Sequence, residues 1–210
     1  MSIRRLITAA GALAIAFAAA PVTLLHSQVP VRRDTIHNPW PGAGTQTASR
    51  ADSSFIREAT VGSLLEVRLG NLAKDKAANA GVKQFAQQMV TDHTRMAGQW
   101  TALGRSNGIP EATLDQTQLQ EVTRLGQLSG PQFDREYMVT MIQDHARDAE
   151  TFRSQGPTAQ SPQVRQLAAS GLTTIQQHLQ MAQQVGGTVG ANVNVAAVPQ
   201  GPQPNVTSQN

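Results

Sequence analysis

Three observations predict that this sequence forms an all-α protein, a four-helix bundle. Apolar residues recur at the helical period over four stretches of roughly 25 residues each. Gly, Pro, Ser and Asn punctuation separates those stretches, and nowhere does the chain alternate at the period of a strand. Two of the connections between stretches are short, whereas the middle one is long enough to travel the length of a bundle.

The first long helix runs from about Ser54 to Asn79. Asp52 or Ser53 is its expected N-cap, and Phe55, Ala59, Gly62, Leu65, Leu69 and Ala73 form its apolar stripe. Asn79-Ala80-Gly81 is a tight stop. The second helix, about Gly81 to Asn107, turns Phe85, Met89, His93, Met96 and Trp100 inward before Gly108-Ile109-Pro110 breaks it. A shorter helix spans about Leu114 to Leu128. Ser129-Gly130-Pro131 restarts the chain, with Pro131 suited to a first helical position. The third long helix reaches about Ser154 and presents Tyr137, Met141, His145, Ala149 and Phe152. Ser161 and Pro162 open the fourth, which presents Leu167, Gly171, Ile175, His178 and Ala182 and stops at Gly186-Gly187. Two antiparallel hairpins joined by one long crossover, itself holding a short helix, amount to ferritin-like connectivity.

Outside the bundle, residues 1–27 read as a secretory signal peptide: Arg4 and Arg5 precede an apolar run from Leu6 to Ala20, with cleavage after Ala20 or near Ser27. Residues 28–51 read as a disordered linker, 52–186 as the bundle domain, and 187–210 as a disordered, uncharged tail. The expected location is the periplasm or the outer-membrane periphery, with no transmembrane helix in the mature chain and an uncleaved signal as the alternative anchor. The chain has no cysteine, which excludes disulfides, thiolate metal sites and a lipoprotein anchor. A sequence pI near 9.9 invites a nucleic-acid reading. Residues 52–186, however, carry 12 Lys/Arg against 13 Asp/Glu, a net charge of −1, so no basic patch for nucleic acid is expected. A protein partner is not specified by the sequence, and homo-oligomerisation is left open.

Of the five histidines, His26 and His37 fall in the signal region and linker. The other three, His93, His145 and His178, lie one each on the second, third and fourth long helices, all on the apolar stripe. Glu58 and Glu66 share the inward stripe of the first helix or its margin, where a lone carboxylate must be paired or bound to a cation. Asp92 and Asp144 directly precede histidines and point about 100° away from them, free to reach another helix. His145 and Asp148 are three residues apart and share a face. Counted outward from the turn near Ala80, Glu66 and His93 stand at one height and are expected to meet. The same count from the loop at 156–161 sets His145 and His178 roughly 10 Å apart along the bundle.

The stretches "FIREATVGSLLEVRLGNLAKDKAANAGVKQFAQQMVTDHTR", "FDREYMVTMIQDHARDAETF" and "VRQLAASGLTTIQQHLQMAQ" resemble the bacterial domain of unknown function 4142 family over about residues 52–186. The resemblance implies an exported ferritin-like bundle and no established activity. It maps the family's polar core positions onto Glu58, Glu66, Asp92, His93, Asp144, His145 and His178. The Glu-x-x-His pattern of di-iron ferritins is missing, since Val90, Ile142 and Ile175 stand three residues before the histidines. The leading expectation is a non-catalytic cell-envelope binding or structural module with a buried His/carboxylate network. The alternative is a metal-binding ferritin-like protein for storage or oxidoreduction, its cofactor a divalent transition metal (Fe, Zn, Mn or Cu). No nucleophile, base and orienting group can be assembled for metal-free catalysis.

Overall fold

A computed structural model describes residues 48–198; the expected signal peptide and most of the linker lie outside them. Five helices follow one another: α1 (Arg50–Lys76), α2 (Ala80–Ser106), α3 (Gln116–Gly126), α4 (Gly130–Gln155) and α5 (Pro162–Thr188). A single 3-10 turn, Val195–Ala197, comes after them. The described residues contain no strand. α1 pairs with α2, α4 with α5, and the hairpins join as a four-helix bundle, while α3 lies across the seam between α1 and α4.

Local sequence sets the helix ends. Asn79 accepts from the backbone N–H groups of Gly81 and Val82 to start α2. Asp115 and Gln118 form a reciprocal capping box on α3, and Ser161 caps α5 with Pro162 in its first turn. Ser49, not Asp52 or Ser53, caps α1. Asp52 has other work. Its carboxylate is buried and accepts from the backbone N–H groups of Gln160 (3.0 Å) and Ser161 (2.8 Å) in the α4–α5 loop. Asp134, near the start of α4, does the same for the α1–α2 turn, accepting from Ala78 (3.0 Å) and Asn79 (2.8 Å). Each hairpin turn is thus tied down by a buried aspartate from the other hairpin. These ties also fix direction: α1 and α5 run one way, α2 and α4 the other.

The segment expected to be a flexible tail from residue 187 is folded as far as 198. α5 extends to Thr188, Gly190 turns the chain at φ +75°, and Ala191 is buried against the end of the bundle, with Val193 and Val195 packed beside it. Apolar residues spaced two apart in "VNVAAV" supply that contact, a pattern that neither the lack of charge nor the lack of a helical period reveals.

The core divides into two apolar clusters stacked along the bundle. One, at the α1–α2 turn, contains Leu69, Phe85, Met89, Tyr137, Met141 and Ala182. The other contains Phe55, Trp100, Phe152, Val164 and Ile175, with the three aromatic rings in edge-to-face contact at 5.1–6.0 Å. Gly171 lets α5 approach there: a Cβ on it would lie 2.7 Å from the Phe152 ring.

Replacing Asp134 by Ala strands two backbone donors of the α1–α2 turn. It is expected to lower stability by about 2–4 kcal/mol, with Asp134→Asn losing less, read as a lower urea midpoint at unchanged slope. An unchanged midpoint in the Ala variant would show that the tie carries no stability.

Candidate metal centre

Between the two apolar clusters lies a polar layer. On α2 it falls between Met89 and Met96, on α4 between Ile142 and Ala149, and on α5 between Ile175 and Ala182. At each place stands a histidine: His93, His145 and His178 are 2%, 0% and 1% exposed. Their ring centroids form a near-equilateral triangle with sides of 5.2 to 5.5 Å, and one nitrogen from each lies within 4.8 Å of the others.

The hydrogen bonds determine which nitrogens remain free. His145 Nδ1 is 2.9 Å from the Met141 carbonyl, which can only accept, so Nδ1 carries the proton and Nε2 keeps the lone pair. That Nε2 is buried without a partner. His178 Nε2 is 3.0 Å from Asp92 Oδ2 and donates to it, leaving the lone pair on Nδ1. His178 Nδ1 faces His93 Nε2 at 3.2 Å. His93 Nδ1 has no partner.

Burial governs the charge of the group. It holds His93 and His145 below the ordinary histidine range, His145 at about 3, and the neighbouring imidazoles add to the effect. Burial also lowers His178, against the pull of Asp92. All three rings are therefore neutral at pH 7. Burial pushes the Asp92 carboxyl up, but hydrogen bonds from Gln88 and His178 outweigh it and leave the group below its usual value, hence ionised.

The axial expectations need correction. His145 and His178 are not separated along the bundle. The α4 turn continues past Gln155 through Thr158 N to Gln155 O (3.2 Å) and Ala159 N to Gly156 O (3.3 Å), which moves the apex of the connection toward α5. Helical side chains also lean toward the N-terminus of their own helix. α4 runs into this loop and α5 out of it, so His145 leans away from the loop and His178 toward it, and the rings converge. The same lean separates Glu66 from His93. No hydrogen bond or ion pair joins them among the described residues; Glu66 Oε1 instead lies 3.8 Å from His145 Nδ1.

The remaining acidic candidates are distributed unevenly. Asp92 is within reach of the triad through His178. Glu66 is 2% exposed, and its Oε2 has no partner. Asp144 pairs with Arg147 through Oδ1, leaving Oδ2 buried and unpartnered. No hydrogen bond or ion pair joins Asp148 to His145 among the described residues; Asp148 lines the groove between α1, α3 and α4, where Glu58 is exposed at the rim. Glu121 of α3 lines the same groove and was not singled out in the sequence. Its signal was its place one turn before the buried Leu125. Burial raises Glu66, and raises Asp144 and Asp148 to about 7 each, with the charge of Asp144 adding to the burial of Asp148.

The two kinds of group bias stability oppositely with pH. Unfolded histidines take up protons below about pH 6.5, whereas the buried ones resist to lower pH, so they cost stability as pH falls through that window. An unfolded aspartate loses its proton near pH 4, whereas Asp148 keeps it to about 7 in the fold, so it costs stability as pH rises from about 4 to 7. Asp148→Asn is therefore expected to match the wild-type melting temperature at pH 4 and to exceed it by about 3–8 °C above pH 7. A constant difference across that range in thermal melts would contradict this assignment.

Comparison with known proteins places the fold. A DUF305 protein of Streptomyces coelicolor, classed by its name as a candidate secreted protein, superposes with a TM-score of 0.59 at 16% identity, covering 69% of this chain and 96% of that one. A DUF305 fragment from Deinococcus radiodurans gives 0.60 at 18% identity, covering 68% of this chain and 99% of that one. No curated protein matches the chain significantly. No helix among the described residues is long and apolar enough to cross a membrane. The model of the domain of unknown function 4142 matches residues 38–185, and with the helical bundle and its histidines in view the chain belongs to that family.

Proposed function

We propose that this protein is an exported metal-binding protein whose buried centre is formed by His93, His145 and His178. The observation that carries the reading is the orphan lone pair of His145 Nε2. A purely structural network satisfies its members, since an unpaired buried nitrogen costs about 1–3 kcal/mol. Here His145 Nε2 is buried and unpaired in the triangle it shares with His93 and His178, which supports a missing ligand at that point.

The donor chemistry fits. His93 Nε2 and His178 Nδ1, at 3.2 Å, already have the spacing of two nitrogens bound at about 2.0–2.1 Å to one tetrahedral ion. Metal binding would require the His93 proton to move from Nε2 to the unpartnered Nδ1, so that His93 Nε2, His178 Nδ1 and His145 Nε2 would all offer lone pairs on neutral rings. The opposite nitrogens of two rings are held from behind, His178 by Asp92 and His145 by the Met141 carbonyl. Metal-bound histidines generally have such outer support, which fixes the tautomer and raises ligand basicity. Three neutral imidazoles without thiolate or a carboxylate in the triangle favour late divalent ions, Cu(II) and Zn(II), over Fe(II) or Mn(II). Export is supported by the charged and apolar start of the sequence.

Reconstitution with Co(II), read by its d–d absorption, is expected to fill one site per chain. His93→Ala, His145→Ala and His178→Ala should each lose at least a hundredfold in affinity. Asp92→Asn should lose about tenfold to a hundredfold with the site still formed. Less than a tenth of an equivalent of Co(II), Zn(II) or Cu(II) retained by the wild type after desalting would sink the reading and return the triad to a structural role.

A further inference from the structure

Along the bundle axis the histidine triangle is closed by apolar side chains, Met89 and Met141 on one side and Met96 and Ile175 on the other. A hydrated ion taking that way would give up its waters with nothing to replace them. The flank facing α1 is closed differently. The ring nearest it is His145, whose Nδ1 is tied to the Met141 carbonyl at 2.9 Å, with Glu66 Oε1 at 3.8 Å. The lone pair of that ring is on the other nitrogen, inside the triangle.

The seam between α2 and α5 is open. A groove of about 430 Å³ runs there, lined by Gln88 and Asp92 of α2 and by Gln177, His178, Met181 and Gln184 of α5. Helical spacing sets this lining, since 88 and 92 share a face of α2, and 177, 181 and 184 share a face of α5. His178 is 1% exposed yet forms part of the groove wall, so its ring stands between the groove and the triangle. Its Nδ1 faces His93 inside, and its Nε2 donates to Asp92 Oδ2 at 3.0 Å. Asp92 is half-buried at the groove, where Gln88 donates to it at 2.6 Å and Arg95 stands 3.5 Å away. The glutamines offer amide oxygens, which can stand in for water around a passing ion without the charge that would trap it.

We propose that the α2–α5 groove is the path by which an ion enters and leaves the histidine centre, with His178 as the ligand that turns outward to meet it and Asp92 as the latch that holds His178 in place. This inference rests on the metal-binding reading of the triad. On the groove side the latch is one hydrogen bond, from His178 Nε2 to Asp92. Turning the ring outward breaks that bond, presents the Nδ1 lone pair to the groove and opens the triangle to His93 Nε2 and His145 Nε2 behind it. Closing the ring carries the ion inward and restores the bond to Asp92. Residues that only line the path touch neither the free nor the loaded centre, so narrowing the path changes the rates of entry and exit together and leaves affinity as it was.

The test is stopped-flow mixing of the full chain with Co(II), followed by d–d absorption, and release of bound Co(II) into excess chelator. Gln177→Trp and Gln184→Trp place bulk in the groove from exposed positions, and each is expected to slow loading and release by about tenfold at unchanged affinity. Gln88→Ala, which frees the Asp92 carboxylate from its neighbour, should speed both by about threefold. Gly62→Leu, which narrows the groove on the opposite flank, should alter neither rate. Circular dichroism of each variant confirms that the helices are retained. The proposal is overturned if both Trp variants load and release Co(II) at the wild-type rates, or if they lose affinity while loading as fast as before. It is overturned equally if Gly62→Leu is the variant that slows exchange, since the ion would then pass beside α1. A wild type that binds Co(II) with rates indifferent to the α2–α5 groove removes this inference alone, whereas a wild type that retains no Co(II) removes the metal-binding reading and the path with it.

Discussion

Burying three neutral imidazoles at one level is the constraint around which this bundle is arranged. An imidazole carries a donor and an acceptor, and neither can be left in an apolar core without cost. The chain responds by splitting its core. Methionine and aromatic side chains fill the bundle above and below, and the polar layer sits between them, one histidine from each of α2, α4 and α5. α1 supplies no imidazole to the layer. It supplies Glu66, whose carboxylate stands behind His145 and opens toward the flank. The ties from Asp52 and Asp134 matter in this setting, because they lock the relative height of the hairpins and hence the level at which the rings meet.

Much of the fold was legible because its signals are local. Asn79, Ser129-Gly130-Pro131 and Ser161-Pro162 mark helix ends through capping and backbone restrictions that act within a few residues. The long link from α2 to α4 left only one arrangement of two hairpins. That the three histidines face inward was legible too, from periodicity alone. Which of them meet was not. Counting residues from a loop locates Cα atoms, whereas contacts are made by side-chain tips that lean toward each helix N-terminus. Over two antiparallel helices the lean brought His145 and His178 together and carried Glu66 away from His93. Asp52 misled for a related reason: it has the residue type of a cap, but its partners lie more than a hundred residues away.

The absence of Glu-x-x-His takes on meaning in this geometry. In that pattern a carboxylate one turn before the histidine enters the same coordination sphere. Here the equivalent positions are Val90, Ile142 and Ile175, and the two isoleucines are 1% exposed within the core. Acid is kept out of the triangle and moved behind it. Asp92 reaches His178 from the neighbouring helix, and Glu66 reaches the far side of His145. The triangle is consequently all-nitrogen, while Glu66, Asp144 and Asp148 line the groove on the other side of α4.

That separation settles how charge is balanced. On the proposed reading, three neutral imidazoles would leave a divalent ion with its full charge inside a low-dielectric interior, which is unfavourable without nearby anions. Asp92 is ionised and hydrogen-bonded to one of the rings, so it places one negative charge beside the triangle without entering it. Glu66 is the next acid inward, and burial, with Asp144 and Asp148 nearby, raises its pKa well above the usual carboxylate range. A cation at the histidine triangle would favour its ionised form. One carboxyl on α1 therefore stands between the histidine triangle and the groove on the flank of the bundle.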